Sequence, residues 1–289
     1  SEVFSIQVLD LIEDLDGDGV QDHLDSDRDG DGFPNSVETT AGTSPDSNSS
    51  FPDIDYGLVA HYSFDGNASD SSVHERHGNS TGFSFSTDRY QRPNSAIHFD
   101  KSQTLKIENF PFQTPYSLTG WFNIEQAPPT VENEINLVGF DVAGPTDGVY
   151  THHSYRFASS TLRFLNRIPP GNSGGSESFV QYSSTSNSWF HLSYVKSNTE
   201  LKTYLNGVLA NTSSDNSSLG TTLVDLYFGG YSGGRNWVGS IDDIYIHNRS
   251  LYASEIATLY QPTNTAPYSL APVKSRSFFK SLQVKFISS

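Results

Sequence analysis

The chain has 289 residues, with no Cys and no Met, and carries 33 Asp plus Glu against 17 Lys plus Arg, a net charge of −16. Disulfides and thiolate metal sites are therefore excluded, and no apolar run reaches the length of a membrane span, so membrane insertion is not expected. Nucleic acid is not expected as a partner either, because no basic patch is interleaved with aromatics outside the last stretch.

The charge is concentrated. Residues 10–55 hold 14 acids and only Arg28, whereas residues 262–289 hold Lys274, Arg276, Lys280 and Lys285 and no acid. The acidity belongs to one segment and is not a general property of the surface.

Residues 1–13, SEVFSIQVLDLIE, alternate as a strand does. One strand does not fold alone. It either ends a preceding cadherin-like or immunoglobulin-like domain, which F-S-I-Q-V-L-D resembles, or packs on the main domain.

Residues 14–38 carry the sharpest chemistry. They form two twelve-residue loops separated only by Ser26. Oxygen side chains occupy loop positions 1, 3, 5, 9 and 12: Asp14, Asp16, Asp18, Asp22 and Asp25, then Asp27, Asp29, Asp31, Asn35 and Glu38. Gly19 and Gly32 stand at position 6 for the sharp turn, and position 7, Val20 and Phe33, supplies a carbonyl. Such a set suits a hard cation that takes six to eight oxygens, and Ca²⁺ is the expected one. There is no room between the loops for the helices of an EF-hand. The tandem D-x-D-G-D-G-x-x-D pattern instead resembles a thrombospondin type 3 repeat over about residues 14–46. That resemblance implies an extracellular spacer built around calcium. Residues 39–55 follow as a connector with G-T-S-P-D-S turn chemistry.

From Gly57 the chain reads as short strands separated by Gly, Asn, Pro and Ser turns. The expected strands are Leu58–Phe64, Ala96–Phe99, Leu105–Ile107, Ser117–Ile124, Ile135–Phe140, Ser154–Ala158, Leu162–Asn166, Phe179–Tyr182, Trp189–Lys196, Lys202–Leu205, Leu223–Phe228 and Ser240–His247. Leu205-Asn206-Gly207-Val208 predicts a hairpin with a primed turn. Ala253–Tyr260 reads as a short helix, capped by Ser250 or Ser254. The fold class is all-β: an antiparallel jelly-roll β-sandwich preceded by a small calcium-stabilised loop segment.

The segments GLVAHYSFDGNASDSS, PNSAIHFD, SLTGWFNI, WFHLSYVKSNTELKTYLNGVLA and WVGSIDDIYIHNRSLYASEIATLY closely resemble the laminin G-like jelly-roll domain of the concanavalin A-like lectin and glucanase superfamily, over about residues 56–261. The resemblance implies two stacked antiparallel sheets and, often, one structural Ca²⁺. It also brings the two ends of the domain together, which places Asp65, Asn67 and Asp70 near Asp243 as a second candidate oxygen site.

The superfamily's hydrolase signature, E-x-D-x-x-E, is absent, and no nucleophile elbow or phosphate loop occurs, so no enzyme activity is expected. Glu132 and Glu134 share a parity but stand beside Pro128-Pro129 in an apparent loop. Trp121, Trp189 and Trp237 are expected to be packed. A sugar site is expected on loop residues that set aromatic faces beside planar polar groups: Tyr150, His152, Tyr155 and Arg156, or Tyr231, Arg235 and Asn236. Six N-x-S/T sequons start at Asn48, Asn67, Asn79, Asn211, Asn216 and Asn248. Residues 262–289 read as a linker followed by a one-faced strand, SFFKSLQVKFI.

Four units are thus expected: a terminal strand (1–13), the calcium spacer and connector (14–55), the jelly roll (56–261), and a linker with a C-terminal strand (262–289). The functional expectation is a secreted, extracellular, calcium-binding adhesion or structural protein that assembles with its own copies, as a filament, or with neighbouring modules through its terminal strands. The alternative is a carbohydrate-binding module of a larger polysaccharide-active enzyme. Polysaccharide or glycoprotein is the expected ligand class.

Overall fold

The computed structural model describes residues 13–126, 134–142, 148–171, 173–183, 188–231 and 234–260. The expected terminal strand, apart from Glu13, and the whole of the C-terminal linker and strand lie outside the described residues.

The described elements are α1 (Asn35–Ala41), β1 (Leu58–Tyr62), β2 (Ser84–Ser86), β3 (Ala96–Asp100), β4 (Leu105–Phe112), β5 (Tyr116–Gln126), β6 (Glu134–Val142), β7 (Val149–Arg156), β8 (Thr161–Gly171), β9 (Ser176–Gln181), β10 (Trp189–Lys196), β11 (Glu200–Leu205), β12 (Val208–Ser214), β13 (Thr222–Phe228), β14 (Val238–His247) and α2 (Ala253–Leu259). They form a sandwich of two antiparallel sheets. The first has the order β12-β11-β10-β5-β14-β3-β2, and the second β4-β13-β6-β7-β8-β9. One edge of β14 is shared: β3 pairs with its first half and β1 with its second. The β11–β12 hairpin turns at Asn206-Gly207, both at positive φ (50° and 78°), as a primed turn requires.

The inner faces meet in one aromatic-rich core. Phe64, Phe99, Phe122, Phe140, Phe164 and Phe190 are all essentially buried there, with Trp237. A second, smaller cluster lies on the outer face of the first sheet, where Ile256 of α2 and Leu251 just before it pack with Val195 and Tyr204. One outer face is therefore covered by a helix and by Ile54 from the connector. The outer face of the second sheet carries mostly charged and polar groups. Among the described residues no helix is long and apolar enough to cross a membrane.

Several expectations shift. Residues 35–41 form a helix where the end of the second loop and the start of the connector were expected. Its signals are bracketing ones: Pro34 at the N-cap and Gly42 in the left-handed conformation at the C-terminus. Helix α2 is not capped by a serine. Tyr252 takes the N-cap position, and its N–H donates to Glu255 Oε2 at 2.9 Å. Strand β7 begins at Val149, so Tyr150 and His152 lie in a strand and not in a loop. The strand expected at Ser154–Ala158 caught only its end, because Thr151, His152, His153 and Ser154 are all buried and no polar/apolar alternation appears.

Candidate functional site

The two acidic loops repeat most of their hydrogen bonds with an offset of thirteen residues. The N–H of Gly19 donates to Asp14 Oδ2 and that of Gly32 to Asp27 Oδ2, both at 3.1 Å. Val20 N–H reaches Asp18 Oδ1 at 2.7 Å, and Phe33 N–H reaches Asp31 Oδ1 at 2.8 Å. Gly19 and Gly32 have φ of 95° and 93°, which a side chain would strain. The third correspondence changes a role: Leu15 N–H donates to Asp22 Oδ1 (2.9 Å) and Arg28 N–H to Asn35 Oδ1 (3.0 Å). Position 9 thus braces each loop's start. The Asn35 amide also donates to the Asp25 carbonyl at 2.7 Å, so its side chain is committed to backbone instead of facing a cation.

The loops differ in burial. Asp14, Asp16 and Asp18 bring one carboxylate oxygen each to within 4.8 Å of one another on a largely exposed loop. Asp27, Asp29 and Asp31 do the same on a loop pressed against the sandwich. There Glu38 is wholly buried and neither of its oxygens has a donor, and buried oxygens of Asp25, Asp27, Asp29 and Asp31 also lack one. Burial, and then the fields of Asp29 and Asp31, push the Glu38 carboxyl up to about 7. Converging buried carboxylates without donors are costly. The donor set, hard oxygens with an acid at position 12, fits a cation such as Ca²⁺.

The second candidate metal site is not assembled. Asp70 is buried, and its Oδ1 accepts the N–H groups of His61 and Ser72. Its Oδ2 accepts from the Ser72 hydroxyl and the Arg76 N–H, all four bonds being 2.9 Å. That carboxylate is spent on turn hydrogen bonds. Asp243 is taken by the Arg89 guanidinium at 2.7 Å, which also holds Asp242 at 2.6 Å. Asn67 closes an Asx turn onto the Ser69 N–H, and Asp65 is half exposed, its carboxylate 4.0 Å from Arg92.

The outer face of the second sheet assembles a different constellation. Glu134, at the start of β6, accepts from the Ser154 hydroxyl (2.5 Å), Arg163 (3.0 Å) and Arg156 (3.3 Å) on Oε1, and from Arg235 (2.8 Å) on Oε2. Burial opposes its ionisation, but the Ser154 hydroxyl and the guanidinium groups of Arg163 and Arg235 hold its carboxyl below the usual range. Arg163 also pairs with Glu177. Aromatic rings flank the cations: Arg156 lies over Phe179 at 5.2 Å and Arg235 over Tyr231 at 5.7 Å. Tyr231 in turn packs 4.8 Å from His152.

Of the expected sugar-site residues, the structure brings His152, Arg156, Tyr231 and Arg235 together here. Tyr150 and Tyr155 point the other way, into the core. The Asn236 amide is bonded to the Lys101 carbonyl at 3.2 Å and supports a loop. His152 is buried beside Asp141, so it forms part of the floor. Its neighbour His153 faces the core, against Phe164 and Tyr194. Glu134, the hub, was set aside in sequence as a loop residue. Its signal was the E-I-N-L-V-G-F run that begins with it. The Trp residues do not contribute: Trp237 is in the core, Trp121 is buried between Arg89 and Tyr260, and Trp189 is half-buried.

The profile of the concanavalin A-like lectin/glucanases superfamily matches residues 99–257. Comparison with curated proteins gave no match. Similar solved structures include the receptor-binding domain of botulinum neurotoxin D, with a TM-score of 0.57 and 14% identity over 72% of this chain and 53% of that one. Trypanosoma rangeli sialidase gives 0.51 and 20% over 71% of this chain and 32% of that one. Domain 4 of AbnA, a GH43 extracellular arabinanase from Geobacillus stearothermophilus solved with arabinotriose, gives 0.52 and 19% over 71% of this chain and 98% of that one. The chain thus spans about a third of the sialidase and half of the toxin domain, but nearly all of the arabinanase domain.

Proposed function

The chain belongs to the concanavalin A-like lectin/glucanases superfamily, and we propose that it is a non-catalytic carbohydrate-binding module carried on a calcium-braced segment. The observation that carries this reading is the network centred on Glu134. It sets guanidinium and carboxylate planes beside the rings of Phe179 and Tyr231 on an outer face that no helix among the described residues covers. Planar polar groups next to aromatic faces match the alternating hydroxyls and C–H patches of a pyranose or furanose ring. The similar arabinanase domain was solved with arabinotriose, and the toxin's ligand-binding domain with N-acetylneuraminic acid, which favours a binding module over an adhesion scaffold.

A hydrolytic role has little support in this cluster. Glu134 is held ionised by three arginines, which is the opposite of what a general acid needs. Asp225, on the same sheet, is paired with Lys106 at 2.8 Å.

In this reading the second loop holds Ca²⁺ through Asp27, Asp29, Asp31, Glu38 and the Phe33 carbonyl. The first holds it through Asp14, Asp16, Asp18, Asp25 and the Val20 carbonyl. Asp22 and Asn35 brace the loops. Exposed loops of this kind bind at extracellular calcium levels, so secretion or display at a cell surface is part of the proposal. A polysaccharide and glycan array, run with Ca²⁺ present, tests the function. Saturable binding to one glycan class, without release of reducing ends, is the expected result. No binding to any saccharide would reject it.

A further inference from the structure

We propose that the arginine cluster on the outer face of the second sheet selects saccharides that carry a carboxylate, as in a uronic or sialic acid. The proposal rests on the carbohydrate-binding reading above and adds the ligand's charge.

Four of the chain's ten arginines, Arg156, Arg163, Arg167 and Arg235, converge on this face, with Glu134 and Glu177 as their acidic neighbours. With Asp141, beside the His152 of the floor, counted against them as well, the four arginines leave one positive charge in excess, on a chain whose net charge is −16. Glu134 is already engaged by four donors, three on Oε1 and one on Oε2. Arg167 spends its Nε and Nη1 on the carbonyls of Gly174 and Gly171, at 2.8 and 2.9 Å, and makes no ion pair among the described residues. Burial, and then the field of Arg163, lower its proton affinity, and Glu177 offsets this only in part.

A purely structural ion-pair network would tend to balance its charges. This one leaves planar guanidinium donors over, and a guanidinium meets a carboxylate with two parallel bonds. Phe179 is more than a third exposed beside Arg156 and offers a ring face for the sugar while its carboxylate meets the cations. The chain's overall charge repels anions, so attraction is confined to this patch and weakens with added salt.

The test is calorimetry on the full chain, in calcium buffer, with matched pairs. These are digalacturonate against its methyl ester, and sialyllactose against lactose, with an oligo-aspartate peptide as a generic anion. At least one acid is expected to bind about tenfold tighter than its neutral partner, and the gap should shrink as salt is raised. Arg167→Ala should remove that gap while leaving the neutral partner's affinity unchanged, and Arg167→Lys should keep part of it. Equal binding within every pair, neutral sugars alone binding, or the peptide binding as tightly as the sugar acids would overturn the proposal. The first two of these outcomes leave the carbohydrate reading standing. If no saccharide of either kind binds, here or on the wider array, both fall together.

Discussion

The ring of Phe33 meets that of Tyr252 edge-on, with centroids 5.3 Å apart, and stacks on Phe51 at 6.0 Å. Phe33 stands at position 7 of the second acidic loop, and Tyr252 stands at the N-cap of the helix that covers the first sheet. This contact joins the acidic segment to the sandwich. Phe33→Ala is expected to cost about 3 kcal/mol through lost packing. It should also uncouple the two units: calcium still binds, but the rise in melting temperature that calcium gives the sandwich shrinks. An undiminished rise would show that the segment docks by other means.

Calcium binding should resolve into two sites. Glu38→Gln and Asp31→Ala are each expected to abolish the second, and Asp18→Ala the first, with titration calorimetry reading the stoichiometry. A ligand held only by the folded segment stabilises it, so wild-type protein should melt higher with calcium than after chelation. Unchanged stoichiometry in all three variants would contradict the assignment.

Acid should destabilise the sandwich through its buried histidines. Burial lowers His153, His191 and His247 to about 3. A histidine whose folded value lies below its unfolded value near 6.5 binds fewer protons in the folded state. Stability is then full above pH 6.5 and falls as the pH drops toward 3. Each of the three costs about 2 kcal/mol at pH 5. Denaturant midpoints between pH 7 and 5 should show this loss, and His153→Phe should reduce the slope. A midpoint independent of pH over that range would contradict it.

Arg89 holds both Asp242 and Asp243 while lying over Trp121 at 4.7 Å and Tyr90 at 4.4 Å. Removing a buried partner strands the other charges, so Arg89→Met is expected to lose about 3–5 kcal/mol. The double change Arg89→Met with Asp242→Asn should recover part of it in chemical denaturation. A double variant no more stable than the single one would argue against the charge account.

What the sequence disclosed followed from how local each signal is. The acidic loops were legible because every residue in question lies within one short stretch of spaced carboxylates. Strand β10 was legible at both ends, since Trp189–Lys196 is a run flanked by polar turns. Strand β7 was legible only at its end, where Ser154–Ala158 was expected, because buried polar residues break the alternation before it. Asp70 looked like a ligand because sequence shows a carboxylate but not the four donors that fill it. The Glu134 network joins residues up to 101 positions apart, across three strands and a loop. No local pattern discloses that pairing. The sequence offered Arg235 and Arg156 as separate alternatives, and the fold puts both on one carboxylate.

Sugar binding at this face decides the proposed function. The measurement is the affinity of the best array ligand for wild-type protein and for Arg235→Ala and Phe179→Ala, with melting temperatures taken alongside. Both variants are expected to weaken binding about tenfold or more while melting within a few degrees of wild type, since both side chains are partly exposed. Affinity unchanged in both variants would place the ligand elsewhere and contradict the central claim.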